Sequence, residues 1–140
     1  MAETKYGKYI AKNALKETRS GRLSIYAMGT EVFGGANFSI KGFYHTADFI
    51  TDPFAENLKK PHKHPFDEVL IWMGPNLEDA SDFDAEIHFC MGEEQELHVI
   101  DSPTVVYIPK NMTHCPLEYI KINKPVMFFE IYMAPGYERT

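Results

Sequence analysis

From Leu23 to Met133 the chain is cut by turn-forming residues into short apolar runs, and this constrains its fold more than any other feature. The cuts fall at Gly34-Gly35, Asp52-Pro53, Gly74-Pro75-Asn76, Gly92, Asp101-Ser102-Pro103, Pro109-Lys110-Asn111 and Asn123-Lys124-Pro125. The runs between them are Leu23–Met28, Phe38–His45, Glu68–Met73, Ala85–Met91, Glu96–Ile100, Thr104–Ile108, Cys115–Ile122 and Val126–Met133. Short strands at this spacing point to an all-β sandwich or barrel.

Side chains alternate across a strand, so spacing assigns faces. In Glu68–Met73, residues Glu68, Leu70 and Trp72 share one face and Val69, Ile71 and Met73 the other. Both faces are mostly apolar, which predicts a strand covered on both sides. Val126–Met133 reads the same way, with Glu130 as its discordant residue. The Lys-rich stretch Tyr6 to Arg19 makes a poor amphipathic helix and is expected to be extended, so residues 1–22 read as an N-terminal arm. The acidic stretch Leu77 to Asp84 is expected to be an exposed loop.

A chain of 140 residues fits one domain, 1–140, large enough to fold without disulfide or metal staples. Fourteen Lys and Arg against twenty Asp and Glu give a net charge of −6, with no block of like charges. Nucleic-acid and anionic-membrane surfaces draw their affinity from Lys and Arg, so neither partner is expected. No apolar run approaches the roughly 20 residues that span a bilayer. Cys90 and Cys115 lack metal or redox spacing, and Met1 to Lys8 lead into no signal-peptide core, so free thiols in the cytoplasm are expected.

The segment Pro61-His62-Lys63-His64-Pro65-Phe66-Asp67-Glu68 carries the chemistry. His62 and His64 are two apart, so on extended backbone both imidazoles point one way. Pro65 then imposes a turn. If the flanking strands are antiparallel neighbours, Glu68 returns beside the two histidines. A second turn, Pro109-Lys110-Asn111, precedes His114. Three imidazoles and a carboxylate suit a divalent transition metal such as Fe, Mn, Co, Ni or Zn, and leave positions open for substrate. A His-x-His alone is more often a surface pair, here beside Lys59, Lys60 and Lys63, than a site; the four-residue set is far more specific.

His-x-His-x-x-x-Glu followed by Pro-x-Asn-x-x-His resembles the paired motifs of the cupin superfamily, in a small single-domain version. The resemblance covers about Phe38 to Met133 and implies a small antiparallel β-barrel or jelly-roll sandwich, with residues 38–133 as its core. It also implies that His62, His64, Glu68 and His114 bind one metal inside the barrel, and that the chain is a homodimer. Several family glycines are replaced: Glu56, Pro75, Pro103 and Asn111 stand at those positions, and Glu118 at a family asparagine. None of these is a ligand position. Asn111 tolerates the left-handed backbone that glycine supplies.

His88 and His98 sit on polar strand faces and are expected to be bystanders, and Cys115 is expected to turn away from His114. Asp67 is expected to cap its turn. Glu130 is either an inward acid available for proton transfer or an outward, solvated one. His45, Leu70, Trp72 and Tyr132 are candidate walls of a substrate pocket. The sequence therefore points to a metal-dependent enzyme, an oxygenase, isomerase or lyase, acting on a small oxygen-chelating substrate such as a carboxylate, enol or phenol. The alternative is a non-catalytic module that binds metal or a small ligand.

Overall fold

The computed structural model describes residues 4–15 and 23–140. Among the described residues eight antiparallel strands form two sheets: β1 (Leu23–Met28), β2 (Ser39–His45), β3 (Glu68–Met73), β4 (Ala85–Met91), β5 (Glu96–Ile100), β6 (Thr104–Ile108), β7 (His114–Ile122) and β8 (Val126–Tyr132). One sheet has the order β1-β2-β8-β3-β6 and the other β5-β4-β7. Every strand expected from the turn spacing is present, in an antiparallel sandwich. The arm at 1–22 is described only in part, because residues 1–3 and 16–22 lie outside the described residues. Within it Gly7–Tyr9 forms a 3-10 turn, and the Tyr26 amide donates to the Ala14 carbonyl at 2.6 Å.

The alternation predicted for β3 holds on its inner face. Glu68, Leu70 and Trp72 are buried, as are Val126, Phe128 and Tyr132 of β8 beside them. Ile87 and Phe89 of β4 and Leu117 and Tyr119 of β7 close the core from the other sheet. Trp72 stacks on Phe128 at 5.0 Å between ring centroids, and its indole N–H donates to the Tyr119 hydroxyl at 3.2 Å. Each such apolar side chain contributes about 1.5–3 kcal/mol on burial. The expectation that β3 is covered on both faces is not met: Val69 and Ile71 are half-buried and Met73 is exposed. A two-layer sandwich covers only one face of each sheet.

Between β2 and β3 the chain makes two 3-10 segments, Ala47–Thr51 and Pro53–Lys59. Asp52 caps the second, accepting from the Phe54 amide at 2.8 Å, and Pro53 occupies a position where no amide is needed. Ala55 is buried, while Phe54, Asn57 and Leu58 frame the mouth of an internal cavity.

Candidate metal centre

His62 and His64 do not form a hairpin with β3. His62 instead makes an isolated antiparallel bridge with His114, exchanging amide-to-carbonyl bonds of 3.0 and 2.9 Å, and the Asn111 amide donates to the His64 carbonyl at 2.7 Å. Pro61 and Pro65 have no amide hydrogen, which limits pairing to this short contact. The two motifs thus meet through backbone. Glu68 opens β3 from the far side of the Pro65 turn, and β3 pairs with β6 and β8.

His114 is aimed by a bulge. It pairs with Met91, whereas Leu117 pairs with Phe89, so the β4–β7 register shifts between them. Cys115 has a φ of 78°. Regular alternation would put His114 and Leu117 on opposite faces; the extra residue turns both toward the cavity. The same bulge overturns the expectation for Cys115, which also lines the cavity. Burial pushes its thiol up to about 12, so it stays protonated. Asn111 has a φ of 65°, the left-handed turn anticipated for it, and Asp67 caps that turn by accepting from the Lys110 amide at 2.9 Å.

The ligand-capable atoms of His62, His64 and His114 all lie within 4.8 Å of one another. Each ring has one nitrogen committed to a backbone carbonyl. Nδ1 of His62 donates to Lys60 at 2.8 Å, that of His64 to Glu138 at 2.6 Å and that of His114 to Met112 at 3.0 Å. A carbonyl only accepts, so the proton of each neutral ring sits on Nδ1 and Nε2 presents a lone pair. Burial lowers the pKa of all three, to about 4 for His64 and His114, which keeps the rings neutral at pH 7. This donor set suits a divalent metal.

Glu68 is buried beside the trio, its Oε2 3.3 Å from His64 Nε2 and without a hydrogen bond. Burial first, then the nearby Glu130 carboxyl, push its pKa up to about 9. Glu130 faces inward, resolving the choice left open by the sequence. It lines the cavity, lies opposite Leu70 of β3 and Lys41 of β2, and accepts from the Tyr132 hydroxyl at 3.1 Å. Burial raises its pKa as well.

The cavity holds about 340 Å³, near the lower end for small-molecule sites. His62, Glu68, His114 and Glu130 are on its wall with Leu70, Phe43, Phe89 and Phe128. Of the four expected pocket residues, only Leu70 is there. Trp72 and Tyr132 are wholly buried beneath it, the latter reaching the site through Glu130. His45 is packed in the aromatic core, its ring 3.7 Å from that of Phe49 and 5.0 Å from that of Tyr119. His88 and His98 pair with Glu86 and Glu96 at the surface, as expected of bystanders.

Sequence reading missed Lys41, Asn57, Tyr137 and Arg139, all on the cavity wall. Lys41 is the one charged residue in the run Phe38–His45, and that was its only signal. The C-terminal residues carried none. They cross the site because His64 bonds to Glu138 and the Thr140 amide donates to the Lys63 carbonyl at 2.8 Å.

No family model matches the sequence. No curated protein matches it either. Solved structures of oxalate decarboxylase match its fold. One, a study of a reaction-specificity switch, has a TM-score of 0.52 at 14% identity over 89% of this chain and 29% of that one. A variant of the Bacillus subtilis enzyme has a TM-score of 0.51 at 15% identity over 83% of this chain and 26% of that one. Hydroxypropylphosphonic acid epoxidase from S. wedmorenis matches at a TM-score of 0.45, with 12% identity over 69% of this chain and 43% of that one. The chain thus spans under a third of the oxalate decarboxylase chains it matches. Two antiparallel sheets, two motifs joined at His62 and His114, and this likeness together identify the architecture as a cupin fold.

Proposed function

We propose that the chain is a metal-dependent cupin enzyme in which His62, His64, His114 and Glu68 hold one divalent transition metal of the Fe, Mn, Co, Ni and Zn set. The observation that carries this is the arrangement of three neutral imidazoles, each with Nδ1 tied to a carbonyl and Nε2 left available, on a cavity of substrate size. Glu68 adds a buried oxygen with no hydrogen bond next to His64. Such a metal, when bound, supplies Lewis-acid polarisation of a substrate oxygen.

The remaining work falls to the chain itself. Phe43, Leu70 and Phe128 exclude water from the cavity and receive the apolar part of a small substrate that binds through oxygen. Glu130 serves as the acid or base: burial raises its pKa, and the Tyr132 hydroxyl orients it through Oε1, leaving the second oxygen to exchange a proton with the substrate. An oxygenase, isomerase or lyase reaction is compatible with these parts. The enzyme is a cytoplasmic homodimer in this reading, supported by two cysteines without a disulfide and by the place of β1 at the edge of its sheet.

The test is elemental analysis of protein purified without chelator, followed by assay of the reconstituted protein against small enols, phenols and keto acids with oxygen uptake recorded. Metal-dependent turnover supports the enzyme. Stoichiometric ligand binding without turnover supports a binding module instead.

A further inference from the structure

Two cations converge on the cavity, within electrostatic range of Glu68 and Glu130 but in no ion pair with either. Lys41 enters from β2 and Arg139 from the C-terminal segment, and both are on the cavity wall. They share one aromatic ring: Lys41 Nζ lies 4.7 Å and Arg139 Cζ 5.7 Å from the centre of Tyr137. Arg139 Nε donates to the Tyr137 hydroxyl, and Nη2 to the Asn57 carbonyl at 3.5 Å. Neither residue belongs to an ion pair among the described residues. Two positive charges that share one ring at the cavity wall attract an anion entering between them.

The lysines flanking the first motif do not fill this role. Lys59, Lys60 and Lys63 are exposed, off the cavity wall, and Lys59 pairs with Glu56 at 3.0 Å. Glu130 faces Lys41 across the β2–β8 register without an ion pair, and the charges of Lys41 and Arg139 act on both Glu130 and Glu68. The charge of Arg139 is felt at all three histidines and that of Lys41 at His64, so the cations are near the proposed metal.

We propose that Lys41 and Arg139 form an anion clamp that binds the carboxylate of a small organic acid, whose other oxygen-bearing end reaches His62, His64 and His114. The guanidinium offers a planar fork that matches a carboxylate, the ammonium a point charge beside it. The second half of this proposal rests on the metal site proposed above; the clamp itself does not. The substrate class narrows from any oxygen chelator to an acid with a second oxygen function.

Calorimetric titration of full-length protein with succinate, its monoamide and its diamide tests this. Metal-loaded protein is expected to bind the monoamide, which keeps one carboxylate for the clamp, about tenfold more tightly than the diamide, the worth of one charge-assisted contact. Arg139→Gln and Lys41→Gln should each reduce that preference and the double variant abolish it, with metal content unchanged. Arg139 lies on the exposed C-terminal segment, so its variant keeps the fold even if that of Lys41 does not. Chelator-stripped protein should still prefer succinate to the neutral diamide, and the double variant should not. Equal affinities within either pair, or a folded double variant that keeps the preference, overturn the clamp. A chain that takes up no metal overturns the metal reading alone, because the stripped-protein comparison still decides the clamp.

Discussion

His64 Nε2 lies 3.3 Å from Glu68 Oε2, yet no hydrogen bond joins them. The Nδ1 proton of His64 is committed to the Glu138 carbonyl, so Nε2 and the carboxylate oxygen both present lone pairs. Two buried acceptors at that separation need a proton or a cation between them. In the metal-free chain burial leaves the proton on Glu68, whose pKa is pushed up to about 9. In the proposed site a divalent ion would take the place of that proton, with His64 and Glu68 among the residues that would hold it.

Glu68→Gln should therefore have opposite effects on the two forms. A carboxyl raised from 4.5 to about 9 gives its full stability share below 4.5 and loses it as pH rises toward 9. At pH 7 the metal-free Gln variant is expected to be more stable than wild type, by roughly 2 kcal/mol. Its metal affinity should fall. Chemical denaturation of chelator-treated protein measures the first effect and metal titration the second; a less stable metal-free variant counts against the burial argument.

Acid should destabilise the metal-free protein through the histidines. His64 and His114 are lowered from 6.5 to about 4, so between those values the unfolded chain binds more protons and stability falls with pH. The slope should approach about 1.4 kcal/mol per pH unit for each histidine. In denaturation midpoints between pH 6.5 and 5, His64→Ala/His114→Ala should lose this fall relative to wild type and keep the opposite slope that Glu68 supplies. An unchanged slope contradicts the buried, neutral state of these rings.

Deleting Glu138 to Thr140 should weaken metal binding by about tenfold or more, as expected for loss of an outer hydrogen bond to a ligand. The deletion removes the carbonyl that fixes the His64 ring. It also removes Arg139, so Arg139→Gln is the control and should keep wild-type affinity. Competition against a metal-binding dye separates the two; equal losses in both would assign the effect to the Arg139 side chain and its contacts, not to the Glu138 carbonyl.

Asn111→Gly should be tolerated, and Asn111→Val should cost roughly 1–2 kcal/mol, because φ is 65° at this turn. Thermal melting of both variants checks this. Glu130→Gln should lower turnover while metal content stays at the wild-type level, and unchanged turnover removes Glu130 from the mechanism.

Much of the fold was legible because strands announce themselves by period and by turn residues. Turn residues such as Gly, Pro, Asn and Asp lay between the strands, and the inner face of β3 followed from Glu68, Leu70 and Trp72 alternating. The histidines were legible from spacing for a related reason: extended backbone repeats every two residues. Bulges break that rule. Cys115 was misplaced because its positive φ and the β4–β7 register shift are tertiary events. Lys41, Tyr137 and Arg139 were missed because residues nearly a hundred apart share no local pattern, and His45 because strand alternation does not say whether an inward residue meets cavity or core.

Elemental analysis by plasma mass spectrometry is the most direct test, on protein purified without chelator and again after reconstitution. The expected result is about one divalent transition metal per wild-type chain and almost none in His64→Ala/His114→Ala, which remains folded because the apolar core does not include the metal. Wild-type protein that holds and takes up none, or a double variant that holds as much as wild type, would contradict the metal site.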